Sequence, residues 1–208
     1  FNKVLQKEQS LIYSLPPISI AHIKRMSRSF GMIQFSKGNR PDIKTGYTLD
    51  DNVRALMALC HVYVKTKDPS CEKYIKKYLT FIRYCQQPDG SFLNYVDKQL
   101  AFTTQNAEIN LEDSNARAIY ALGYFISLRG KFPDVWTGDA TEIIEQTFDM
   151  IMKMKSPRSI AYIIKGLYHF EQAYPSKEVR EMTMHLADQL VHYYHQNAEN
   201  NWHWFEAY

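Results

Sequence analysis

Long apolar runs are missing from this 208-residue sequence. None approaches the roughly 18 residues needed to cross a bilayer, and no secretion signal is visible. Cysteine is scarce: Cys60, Cys71 and Cys85 make an odd set with no metal-ligand spacing, and no His pair completes a zinc site. The sequence therefore predicts no metal, no cofactor and reduced thiols in a cytoplasmic setting. Basic clusters are also missing. The 25 Lys and Arg are scattered among 22 acids for a net charge of +3, which does not make the basic face of a nucleic-acid binder. Strand patterns are nearly absent, with Ser91 to Val96 the one stretch suited to a brief hairpin arm.

What is present is apolar residues at helical spacing along most of the chain. They make up 45% of the sequence, enough for a core, and aromatics make up 14%. The periodicity predicts seven helices, at about Ile18–Phe35, Thr48–Thr66, Pro69–Gln87, Asn110–Arg129, Asp139–Lys155, Pro157–Ala173 and Ser176–Gln196. Breakers such as Gln87-Pro88-Asp89-Gly90 and Tyr174-Pro175-Ser176 separate them. The sequence reads as one all-α domain over residues 1–208. It begins at Phe1 rather than Met, an opening that fits removal of a leader or a preceding domain.

An internal repeat gives the helices an order. Asp50-Asp51-Asn52-Val53-Arg54-Ala55-Leu56-Met57-Ala58-Leu59 recurs without a gap as Asp113-Ser114-Asn115-Ala116-Arg117-Ala118-Ile119-Tyr120-Ala121-Leu122, at an offset of 63 residues. One helix lies between the copies, so the repeating unit is a helix pair. Small residues on the repeated helices (Ala55, Ala58, Ala118, Ala121, Gly123) suit a tightly packed inner layer. The expected architecture is an (α/α) toroid of helical hairpins. About seven helices are fewer than a closed ring needs, so a domain truncated at its C-terminus is expected.

The polar residues at the helix starts carry the candidate chemistry. Thr48 can cap its helix with Asp51 at the third helical position, a variant of the capping box, and acids suit the positive helix end. That structural use leaves Asn52 and Arg54 unaccounted for. Inner helices of a toroid run parallel, so the starts at Asp50 and Asp51 and at Glu112 and Asp113 would gather at one mouth. Paired carboxylates facing a polar cleft are what glycosidic bond cleavage requires; they also hydrogen-bond sugar hydroxyls without catalysis. Arg54, Arg117, Asn52 and Asn115 would orient the acids. Gln87-Pro88-Asp89-Gly90-Ser91 is a tight-turn signal; its functional alternative places Asp89, Asn94 and Tyr95 on the cleft rim. Tyr47, Tyr95 and Trp204 are candidate sugar-stacking rings, and Glu206 is a possible third acid.

The ordered set Gly46-Tyr47-Thr48-Leu49-Asp50-Asp51-Asn52-Val53-Arg54, Gln87-Pro88-Asp89-Gly90-Ser91-Phe92-Leu93-Asn94, Leu111-Glu112-Asp113-Ser114-Asn115-Ala116-Arg117 and Trp202-His203-Trp204-Phe205-Glu206 resembles a bacterial helical-toroid family. The resemblance spans Phe30 to Tyr208. In that family the domain stands alone or follows a sugar-nucleotide glycosyltransferase domain, and its fold is like the six-hairpin glycosidase toroids. The family often continues past the Glu206 equivalent with a further helix that this chain lacks. The resemblance implies a carbohydrate-active, glycoside hydrolase-like protein acting on an oligosaccharide or polysaccharide. The alternatives are a non-catalytic glycan-binding or glycosyltransferase-associated module and, less suited to so polar a cleft, a terpenoid cyclase-like toroid.

Overall fold

A computed structural model describes residues 16–198. The fold is all-α. Three helical hairpins carry it: α2 (Leu49–Thr66) with α3 (Glu72–Cys85), α5 (Glu112–Ser127) with α6 (Asp134–Glu145), and α8 (Pro157–Ala173) with α9 (Lys177–Asn197). The short helices α1 (Ala21–Met26), α4 (Gln105–Glu108) and α7 (Phe148–Ile151) lie in the connections. Four two-residue strands pair antiparallel, β1 (Ser36–Lys37) with β2 (Arg40–Pro41) and β3 (Tyr47–Thr48) with β4 (Tyr95–Val96).

Alternate helices are neighbours: α2 packs on α5 and α5 on α8, while each is backed by the helix that follows it. This two-layer array is the arrangement a helix-pair repeat dictates. Its core is continuous, with Leu56, Leu59, Ile75, Phe81, Ile119, Leu122, Phe125 and Leu167 fully buried. Cys60, Cys71 and Cys85 are free thiols inside it, and burial pushes the thiol pKa values of Cys60 and Cys85 well up. Helix α8 matches the expected Pro157–Ala173, since Ser156 caps it through Ser159 N and Pro157 suits the first turn. Thr48 and Ser176 cap α2 and α9 in the same way.

Two expected helices are corrected. Ile18–Phe35 is helical only over Ala21–Met26. The chain then turns back in a bridge between Ser27 and Met32, and Ile33 bridges Tyr47. The backbone of Met32 is held by a side chain on α2, which removes it from any helix. Asp139–Lys155 is likewise two pieces, Asp134–Glu145 and Phe148–Ile151. They part where the turn at Gly90 packs against the chain. Gly90 has φ +82°, and a Cβ there would fall 1.9 Å from the Gln146 carbonyl oxygen. The expected arm Ser91–Val96 pairs briefly, as Phe92 bridges Gln86 across the turn at Gly90 and Val96 bridges Phe102, while Tyr95–Val96 also forms β4 against β3.

The tightest approach in the array is between α5 and α8. A Cβ on Gly123 would lie 2.0 Å from the Gly166 carbonyl oxygen, and one on Gly166 would lie 2.7 Å from that of Ile119. Backbone rests on backbone, and no side-chain rotation can relieve an added methyl. Gly123→Ala should therefore cost about 1–3 kcal/mol of stability, read as a lowered urea midpoint. An unchanged midpoint would mean that the two helices separate freely.

Candidate functional site

The layer of α2, α5 and α8 has one face against its backing helices and one turned away. Positions on the second face follow a single register. On α2 they are Asp50, Arg54, Met57 and His61; on α5, Asp113, Arg117, Tyr120 and Tyr124; on α8, Arg158, Tyr162, Lys165 and His169. Each set advances by four, three and four residues, which keeps one stripe of an α-helix in line.

Arg117 joins the first turns of two helices. Its Nε lies 2.8 Å from Asp113 Oδ2 and 3.3 Å from Asp50 Oδ1. Because both oxygens share one nitrogen, they are at most about 6 Å apart, a limit that admits the roughly 5–5.5 Å spacing of retaining glycosidases. Arg54 Nη2 takes the other Asp50 oxygen at 2.6 Å. The Arg117 guanidinium also lies 4.6 Å from the centre of the Tyr162 ring, a cation–π contact that fixes it from the α8 side.

Two oxygens of this cluster stand out. Asp50 Oδ1 and Asp113 Oδ1 are buried, and neither has a hydrogen-bond partner among the described residues. The 3.3 Å approach of Arg117 to Asp50 is a charge contact whose angle does not make a hydrogen bond. Burial is the largest influence on Asp50 and raises its pKa. Arg54 and Arg117 oppose the rise, and the neighbouring acids Asp51 and Asp113 add to it. A half-buried carboxyl whose pKa is raised, standing beside a second carboxylate, is the pattern of an acid–base pair.

The other predicted residues fall into different places. Asp51 closes the cap of α2: its Oδ2 accepts from Thr48 Oγ1 at 2.6 Å, and its N–H donates to the same hydroxyl. Glu112 points across to the start of α8, where one oxygen accepts from Lys155 N at 3.0 Å and Ser156 N at 2.8 Å. Asn94 caps α2 as well, with its side-chain oxygen 3.1 Å from Asp50 N. Asp89 folds onto Ser91 N and Oγ within its own turn, and the Ser91 bond lowers its pKa. Tyr47 is buried against Phe30 and Phe81, so its ring is core rather than a stacking surface. Tyr95 is half-buried on β4, its backbone bonded to the Asn106 side chain. Trp204 and Glu206 lie outside the described residues.

Asn52 and Asn115 perform one job twice. The Asn52 carboxamide accepts from Met32 N at 2.8 Å and donates to Met32 O and Thr48 O. The Asn115 carboxamide accepts from Phe92 N at 2.7 Å and donates to Phe92 O and Leu111 O. Each stands in for a strand, pairing with both backbone groups of an extended residue, and each is buried. Both N–H donors and one acceptor site of each amide thus go to backbone rather than to the acids they were expected to orient.

Sequence reasoning did not single out the aromatic half of the face. Tyr120 stacks with Tyr162 and His169 at centroid distances of 6.0 and 5.9 Å. Tyr124 bonds His61 Nδ1 at 2.9 Å, and its ring lies 5.3 Å from His169. The 63-residue repeat held the signal, in the pair Met57/Tyr120 inside it and the pair His61/Tyr124 just past its Ala-Leu end. Among the described residues, no group of three His, Cys, Asp or Glu is placed to hold a metal, and no helix is long and apolar enough to cross a membrane.

No family model and no curated protein matches the chain.

Two measurements check this geometry. Asn115→Ala leaves the buried Phe92 N–H without its partner and should cost about 2–4 kcal/mol in chemical denaturation; wild-type stability would refute the clamp. A carbon-detected NMR titration should find the Asp50 carboxyl above the usual carboxylate range. The folded chain then holds that proton more tightly than the unfolded chain. Stability from this group is full at low pH and is lost as pH rises from the ordinary value through the raised one. A midpoint at or below the ordinary value would mean that the arginines outweigh burial.

Proposed function

We propose that this protein is carbohydrate-active and glycoside hydrolase-like, handling an oligosaccharide or polysaccharide along the face of α2, α5 and α8, and that the three hairpins belong to a larger (α/α) toroid. The observation that carries the reading is the Asp50–Asp113 pair: two carboxyls at most about 6 Å apart, each with a buried oxygen that has no hydrogen-bond partner among the described residues. Tyr120, Tyr124 and Tyr162 beside the pair support it, because tyrosine faces stack on sugar rings while their hydroxyls stay wet. The charged lining speaks against a hydrocarbon substrate. Three buried free thiols support a reducing compartment such as the cytoplasm.

Asp50, with its raised proton affinity, is the acid of the scheme. Its proton passes to the glycosidic oxygen, which takes the electron pair of the breaking carbon–oxygen bond and leaves as a hydroxyl. Asp113 is the carboxylate that meets the electron-poor anomeric carbon or orients the water that does. Asp51 and Glu112 drop out of the chemistry, since both are committed to helix starts. Arg117 lies between the two acids, so a substrate hydroxyl must take over its bond to Asp113 before that carboxylate can act.

Arg117 also favours a second reading. An arginine that ties down both acids suits a non-catalytic glycan-binding module, alone or attached to a glycosyltransferase. Asp50→Asn and Asp113→Asn, each checked for folding by circular dichroism, separate the two on a glycan panel. Hydrolysis predicts turnover by the wild type, and a fall of about 10²–10⁴-fold in each variant. A binding module predicts no turnover in any form and weaker sugar affinity in the variants. A wild type that neither cleaves nor binds any glycan would end both readings.

A further inference from the structure

On α8 the face carries a lysine that the acid pair does not use. Arg54 answers Asp50 and Arg117 answers Asp113, each four residues on. Lys165 occupies the same register on α8 and has no carboxylate partner among the described residues. Its ammonium instead lies 4.2 Å from the centre of the Tyr120 ring and 5.8 Å from that of Tyr162. Tyrosine faces hold a cation in place without neutralising it.

Around Lys165 the chain builds a depression of about 540 Å³, lined by Arg117, Arg158, Ala161, Tyr162 and Lys165. No acid lines it. Helices α2 and α5 open their stripe with an aspartate, whereas α8 opens with Arg158. One turn beyond Lys165, burial first and then the charge of Lys165 lower the His169 pKa, so the imidazole keeps its neutral form to lower pH. Ala161 adds a small side chain on an exposed position to the lining.

We infer that this depression is a subsite for an anionic sugar residue, one bearing a carboxylate or a sulfate, so that the glycan this face takes is acidic. The inference rests on the glycan reading and specifies its substrate class. A pyranose ring seated in the depression would set an anionic substituent towards Lys165, with Arg117 and Arg158 on its flanks. An exposed ammonium held over the Tyr120 ring gains a charge-assisted hydrogen bond when such a group arrives. A neutral sugar would leave that ammonium with tyrosine rings alone.

The test is calorimetric titration of the full chain with two sets of size-matched oligosaccharides. The neutral set is cello-, malto- and mannohexaose. The acidic set is hexamers of galacturonate and mannuronate, with a chondroitin sulfate hexasaccharide to separate sulfate from carboxylate. Acidic hexamers should bind at least about tenfold more tightly than neutral ones at low salt, with the advantage shrinking as salt is added. Lys165 is exposed on its helix, so Lys165→Met should fold; it should lower the acidic-to-neutral affinity ratio about tenfold, and Lys165→Arg should restore most of it. Neutral hexamers binding as well as acidic ones, or a ratio unmoved by Lys165→Met, would overturn the acidic subsite and leave the glycan reading intact. Failure of both sets to bind would overturn the two together.

Discussion

Two carboxamides hold the layout in register. Asn52 and Asn115 sit one turn inside their helices and grip an extended residue from an earlier connection by both its N–H and its C=O. A side chain thereby does what a neighbouring strand would do, at a place where a layer of helices offers no strand. The burial of these amides makes the bonds hard to exchange for water. Because each clamp draws the loop before its helix against the helix start, the first turns of α2 and α5 are walled on one side. Their remaining polar groups face the open side, and the acids at Asp50 and Asp113 inherit that direction.

The first-turn acids divide by helical rotation. Neighbours on a helix point about 100° apart, so Asp50 and Asp51 cannot share a face, nor can Glu112 and Asp113. One of each pair turns inward to the scaffold. Asp51 meets its own cap, and Glu112 meets the start of the next inner helix. The other turns to the common face. This sorting reduces four candidate carboxylates to two and fixes Arg117 as the residue on which they converge.

Much of this was legible in the sequence, for local reasons. The span Pro157–Ala173 lies between Ser156-Pro157 and Tyr174-Pro175, so capping and proline geometry set both ends. The repeat at Asp50 and Asp113 announced helices standing side by side, and the shared guanidinium of Arg117 is the physical form of that announcement. The stretch 18–35 was misread as one helix because its fate is decided by Asn52, twenty residues away, and periodicity sees only local spacing. Asn52 and Asn115 themselves looked like ligands, since a sequence does not show that a carboxamide has a backbone residue to grip. Tyr120, Tyr124 and Tyr162 passed as core aromatics, which have the same helical spacing as aromatics on an open face.

The glycine contact between α5 and α8 gives the two sides of the groove unequal stiffness. Where Gly123 meets Gly166, main chain touches main chain, and close-packed interiors resist sliding at such points. Tyr120, Tyr162 and Lys165 therefore stand on what is mechanically a single slab. Across from it, α2 reaches α5 over this face by side-chain tips, at Arg117 with Asp50 and at Tyr124 with His61. A molecule held along this face would meet main chain locked to main chain on the lysine side, so any adjustment to its width would fall to α2.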